Sequence, residues 1–182
     1  MNRLYTGIGS RKLPNLVIDQ MTRFGNLAAK LGWTLRSGAE HGADAAFENG
    51  CDFYKGNKEI FLPWKGFNNN NSNLIAPSEE AHKLASEIHP RYDYLSRGAK
   101  LLVARNMHQV LGFDLNTPVE FVICWTPDGC ESHETYCDTT GGTGTAIALA
   151  STRNIPIFNI TSEARYQEAI LYMLTITGEQ NG

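Results

Sequence analysis

The sequence predicts a three-layer, Rossmann-like α/β domain with a mainly parallel sheet between helices. Three observations carry this. Short apolar segments alternate with longer segments of helical spacing along nearly the whole chain. Glycine-rich turns follow several of the apolar segments. The chain has 182 residues, enough for one substantial core and too few for two, so residues 1–182 are expected to form a single domain.

The elements follow in order. Residues 3–8 form the first strand and end in Gly7-Ile8-Gly9-Ser10. Residues 15–31 place Leu16, Met21, Phe24, Leu27, Ala28 and Leu31 at roughly helical spacing, with Pro14 to start the helix and Gly32 to stop it. Residues 33–36 are the second strand, ending in Ser37-Gly38, and a helix is expected over about 42–54. Residues 58–62 make the third strand, closed by Pro63-Trp64. The run Asn68 to Asn71 offers nothing to bury and is expected to be a mobile surface loop. Helices follow over about 78–88 and 96–111, then a strongly apolar strand over 118–125. Residues 126–140 are polar and irregular and read as a hairpin. Residues 141–145 open a helix to about 153, residues 155–160 are the last strand, and 162–175 the last helix, with 178–182 expected to fray. The β-α-β order makes the sheet mainly parallel, and ligands of such sheets sit beyond the carboxyl ends of the strands.

Composition is that of an ordinary globular enzyme or binding domain, with 42% hydrophobic and 19% charged residues. The net charge of −3 argues against a surface that binds nucleic acid everywhere, while leaving room for a local basic patch. No apolar run approaches the roughly 20 residues a bilayer span needs. No signal-like segment precedes the first strand, so a reducing cytoplasm is expected, with Cys51, Cys124, Cys130 and Cys137 as free thiols.

Three turns carry candidate chemistry. Gly7, Gly9, Ser10 and Arg11 suit a sharp turn with a hydroxyl and a guanidinium for a phosphate, or equally a tight turn with a capping serine. Ser37, Gly38 and Asp44 flank a second turn; Asp44 falls in the first turn of a helix, where it favours the dipole or contacts a ribose or base. Glu40 and His41 are the nearest acid–base candidates. The strongest signal is Gly141, Gly142, Thr143, Gly144 and Thr145 ahead of an alanine-rich helix. That pattern presents backbone N–H groups, hydroxyls and a positive dipole end to an anion, or serves only close helix–sheet packing. It is not a Walker A loop, because no Gly-Lys-Ser/Thr follows. Arg105, beside Asn106 in a helical stretch, suits bidentate phosphate contact or a solvated surface. Cys130, His133 and Cys137 have the spacing of part of a zinc site, but the paired halves are missing and a non-metal hairpin is the favoured reading. Trp33 and Trp125 suit core packing, and Trp64 is placed to stack on a base. No cofactor and no metal ion is expected.

In order, these segments resemble the DNA-processing protein A (DprA/Smf) family over about residues 4–160. Gly7 to Arg11 is similar to that family's opening turn, and residues 37–44 to its Ser-Gly-x-Ala-x-Gly-Ile-Asp segment. Arg105-Asn106 is similar to its Arg-Asn pair, and residues 142–145 to its closing phosphate unit. His41 stands where that family usually has Arg. The wider superfamily includes molybdenum-cofactor carriers and the lonely-guy phosphoribohydrolases, whose Pro-Gly-Gly-x-Gly-Thr-x-x-Glu motif here has Thr140 for Pro and Ala148 for Glu. The resemblance implies a nucleotide or nucleic-acid phosphate ligand and a homodimer. Two alternatives stand beside that reading. One is a nucleotide N-glycosidase with Glu40 or Glu120 in place of the absent glutamate. The other is a single-stranded-DNA-binding recombination mediator.

Overall fold

The computed structural model describes residues 3–75 and 77–179. Among these, five strands and six α-helices follow in the expected order. They are β1 (Leu4–Gly9), α1 (Asn15–Lys30), β2 (Thr34–Ser37), α2 (Ala43–Phe53), β3 (Lys58–Ile60), α3 (Glu79–Ile88), α4 (Arg97–Leu111), β4 (Phe121–Trp125), α5 (Gly144–Thr152), β5 (Ile157–Asn159) and α6 (Glu163–Glu179). All strand pairs are parallel, in the order β3-β2-β1-β4-β5. The chain therefore winds outward from β1 through β2 to β3, then returns to the other side of β1 to lay down β4 and β5. Such a reversal leaves a crevice at the carboxyl ends of the two strands that flank it, here β1 and β4.

Side-chain alternation in the strands builds the three layers. In β4, Phe121 and Ile123 pack with Met21, Phe24, Phe47 and Met173, from α1, α2 and α6. Val122 and Cys124 point the other way, into a cluster with Ala81, Met107 and Ile147, from α3, α4 and α5. Both faces of the sheet are thus covered, as a purely parallel sheet requires.

α1 and α2 cross at two glycines. A Cβ on Gly25 would lie 2.6 Å from the Phe47 carbonyl oxygen, and one on Gly50 would meet the Thr22 carbonyl oxygen. The backbones are close because neither residue has a side chain.

The structure corrects three expectations. Residues 126–137 form no hairpin. Their polar groups are met by side chains instead of a ladder. Asn159 Nδ2 donates to Thr126 Oγ1 at 2.6 Å and to the Cys130 carbonyl at 2.9 Å, and its Oδ1 accepts from the Thr126 N–H at 3.2 Å. Glu131 holds the same loop from outside, accepting from the Asn159 N–H at 2.6 Å and from Arg165 Nε at 2.7 Å. Second, the asparagine run is docked. A short 3-10 turn, Phe67–Asn69, buries Phe67, and Asn68 Nδ2 donates to the Ala39 carbonyl at 2.9 Å. Third, α6 continues through Gly178 to Glu179; the remainder of the tail expected to fray, 180–182, lies outside the described residues. Among the described residues no helix is long and apolar enough to cross a membrane.

Gly50→Ala drives a Cβ into backbone and should lower stability by about 1–3 kcal/mol. Gly98→Ala is the control, since nothing lies within 4 Å of its added Cβ. Chemical denaturation of both variants measures the difference; equal stability would contradict the tight crossing.

Candidate functional site

A cleft of about 390 Å³ opens at the carboxyl end of β1, between the turn that follows β2 and the segment from β4 that leads into α5. Its floor is apolar, from Ile8, Leu102 and Val103. One wall is Gly9, Ser10 and Arg11, a second is Glu40 and Asp44, and a third is the turn Thr139 to Thr143. Arg105, Asn106 and Gln109 of α4 reach in between.

Arg105 and Asn106 are neighbours in sequence, yet each holds a different wall. Arg105 Nη1 donates to the Gly38 carbonyl and, at 3.2 Å, to the Phe61 carbonyl. Asn106 Nδ2 donates to the Gly142 carbonyl at 2.8 Å and to Thr145 Oγ1 at 3.0 Å. Asn106 Oδ1 in turn accepts from Arg105 Nε at 3.2 Å. One helix turn thereby fixes the β2–α2 turn relative to the turn that opens α5. Arg105 is 4% exposed, so this is no solvated arginine. Burial pulls its pKa down, and the nearby carboxylates of Asp44 and Glu40 work in the other direction.

The glycine turn differs along its length. Nothing lies within 4 Å of a Cβ built on Gly141 or Gly142, and both residues line the cleft. Gly141 has φ 72°, in the region glycine favours. Gly144 is closed: a Cβ there would strike the Tyr136 ring. Thr145 is buried and donates to the Gly142 carbonyl at 3.2 Å. A 3-10 helix over Asp138–Thr143, kinked at Gly141, runs directly into α5; the Gly144 N–H donates to the Gly141 carbonyl, and no side chain caps the helix.

Several residues singled out in the sequence support the cleft from behind. Gly7 faces α2, where a Cβ would lie 2.6 Å from Phe47 Cγ. Ser37 is buried and donates to the Gly7 carbonyl at 2.7 Å, tying β2 to β1. Gly38 lacks a Cβ because Arg105 occupies that space. Glu120 is not brought to the site: it precedes β4, and its N–H donates to the Leu4 carbonyl at 2.9 Å, at the opposite end of the sheet. His41 is exposed and borders a separate depression of about 220 Å³ beside the asparagine run. Trp64 stacks edge-on against Phe67 at 5.0 Å and does not line the cleft. Trp33 is buried in the core, as its place in the sequence suggests, and Trp125 packs at the core's edge. Cys130 is buried with Sγ 3.4 Å from the Ser132 carbonyl, while Cys137 is exposed with Sγ 3.6 Å from Asp128 Oδ2. Among the described residues no three His, Cys, Asp or Glu side chains are grouped to hold a metal ion.

Gln109 and Tyr136 were not legible as site residues. Neither belongs to a short motif, and each meets the site only across the fold. Asp128 is similar: it accepts from Thr140 Oγ1 at 2.5 Å and so anchors the start of the glycine turn.

The two carboxylates of the cleft behave differently. Burial opposes ionisation of Glu40, but Arg11, the His41 N–H and Asn68 outweigh it and hold the pKa below the ordinary value. Its ion pair with Arg11 is 2.8 Å long, across the rim. Asp44 is 3% exposed, and burial pushes its pKa from 3.8 up to about 7, against the pull of Arg105 and the Glu40 N–H.

No family model, curated protein or solved structure matches the chain.

Two outcomes follow. Asn106→Ala leaves the Gly142 carbonyl and Thr145 hydroxyl without their shared donor, and urea denaturation should show a loss of about 1–3 kcal/mol. Asp44 holds its proton more tightly folded than unfolded. Its contribution to stability is therefore fully kept below the unfolded value of 3.8 and erodes as pH rises towards about 7. Asp44→Asn removes that erosion, so its melting temperature relative to the native chain should rise between mildly acidic and mildly alkaline buffer. A pH-independent difference would contradict the shift.

Proposed function

We propose that the cleft binds a phosphate-bearing ligand, a nucleotide or the phosphate of a nucleic-acid end, with the phosphate on the turn 141–143. The observation that carries this is the open space beside Gly141 and Gly142, which line the cleft ahead of an N-terminus of α5 that no side chain caps. Glycines with free space beside them admit an anion to backbone N–H groups, and the helix dipole favours negative charge there. The cleft volume of about 390 Å³ suits a small organic phosphate. The resemblance to the DNA-processing protein A superfamily points the same way, since the same turns, in the same order, border one cleft.

A second reading is an N-glycosidase acting on a nucleoside monophosphate. What favours it is the pair of carboxylates in the cleft, Glu40 held ionised and Asp44 held protonated towards neutral pH. Environments that push two pKa values apart suit an acid and a charge-stabilising partner. Glu120 has no part in it. Free base released from any of the four common nucleoside monophosphates would favour this reading; none released would remove it. A single-stranded-DNA mediator is less favoured. The cations of the cleft are Arg11, already paired with Glu40, and Arg105, buried and bonded to backbone.

Gly142→Val fills open space without meeting another protein atom within 4 Å at Cβ. It should weaken nucleoside monophosphate binding, measured by titration calorimetry, about tenfold or more and leave the melting temperature unchanged. Gly144→Val is unsuitable as the test, because it displaces Tyr136 whether or not a ligand binds. Undiminished affinity in Gly142→Val would sink the assignment of the phosphate to this turn.

A further inference from the structure

Asp44 and Arg105 bring opposite charges into the cleft wall without touching: neither a hydrogen bond nor an ion pair joins them. Each is fixed by only part of its side chain. Asp44 Oδ2 accepts from the Gly38 N–H at 3.0 Å and from the Glu40 N–H at 3.4 Å. Asp44 Oδ1 has no partner among the described residues. Arg105 uses Nε on Asn106 and Nη1 on the Gly38 and Phe61 carbonyls, and Nη2 has no partner among the described residues. Both residues are more than nine-tenths buried, at 3% and 4% exposure. Yet neither free atom is sealed in the protein: Tyr5 Oη is the buried unpartnered side-chain atom among the described residues. Both residues line the cleft.

An acceptor and a donor are therefore left without a protein partner on two residues that border the same space. A hydroxyl satisfies both at once, donating its proton to the carboxylate and accepting from the guanidinium. A phosphate oxygen accepts from Arg105 but is repelled by Asp44. An ammonium has the opposite mismatch. We propose that Asp44 and Arg105 form a hydroxyl-recognition subsite, which selects a sugar phosphate or ribonucleotide over its deoxy counterpart. This rests on the phosphate reading above and sharpens it. A deoxy ligand leaves two buried charged groups unsatisfied, and a site built to bond a hydroxyl rejects the analogue that lacks it.

Titration calorimetry at about pH 8, where Asp44 is charged, tests this with inorganic phosphate, ribose 5-phosphate, AMP, and the 2′-deoxy and 3′-deoxy forms of AMP. The native chain should bind AMP about tenfold or more tighter than at least one deoxy form. Asp44→Asn should abolish that preference. Its amide must turn the carbonyl oxygen to the Gly38 and Glu40 N–H groups, so an NH2 donor replaces the acceptor in the cleft. Equal affinity of the native chain for AMP and both deoxy forms overturns the subsite, and so does a preference that survives in Asp44→Asn. Phosphate binding without hydroxyl selectivity overturns the subsite alone. No binding by any of these probes overturns the phosphate reading and the subsite together. The comparison among ligands on the native chain decides the matter even if the variant does not fold.

Discussion

The cleft depends on two consecutive side chains of α4. Arg105 is buried, and a buried guanidinium is tolerated only where acceptors surround it. The carbonyls of Gly38 and Phe61 supply them, which pins the ends of β2 and the chain just after β3. Asn106 reaches the other way, to Gly142 and Thr145. Geometry at the two walls is thus set from one rigid element. Gly38 has no side chain because Arg105 fills that volume, and Gly144 none because Tyr136 does. Within the turn 141–144, Gly141 and Gly142 keep open space and Gly144 does not, so the glycines that look alike there have separate physical reasons.

The sheet places these walls. Reversal of winding at β1 leaves the carboxyl ends of β1 and β4 without a crossing connection between them, and the turns gather there. Loop 126–137 has no ladder to fix it. Asn159, at the end of β5, fixes it instead by bonding Thr126 and Cys130, while Asp128 holds Thr140. The glycine turn is therefore tethered at both ends, by Asp128 before it and Asn106 within it. Under the proposed phosphate reading, a turn with open backbone but fixed ends lowers the ordering cost of binding.

Charge in the cleft is balanced rather than strongly positive. Arg11 faces Glu40 at the rim, and Arg105 lies near Asp44 below. An anion would be drawn here by backbone dipoles, not by an excess of cations, in keeping with a chain of net charge −3. Arg11 is exposed and Glu40 is braced by Asn68, so the asparagine run is part of the rim.

The layered parallel architecture was legible from the sequence, because alternation in segments such as 121–124 and helical spacing in 15–31 are local consequences of burial on two faces. The glycine cluster at 141–145 was legible as a turn ahead of an apolar helix, but which of its glycines are open and which serve packing was not. The docking of Asn68 and the loop pinned by Asn159 were not. Polar residues carry no periodicity, and whether they meet solvent or a distant carbonyl depends on what the fold brings near. The sequence by itself determined the order of elements and the residue types at the strand ends. Tertiary structure alone decided that Glu120 lies at the far end of the sheet, that Gly7 and Ser37 serve packing, and that Asp44 and Arg105 share a wall without pairing. Local sequence sets conformational preference, whereas burial, charge separation and free space are properties of neighbours remote along the chain.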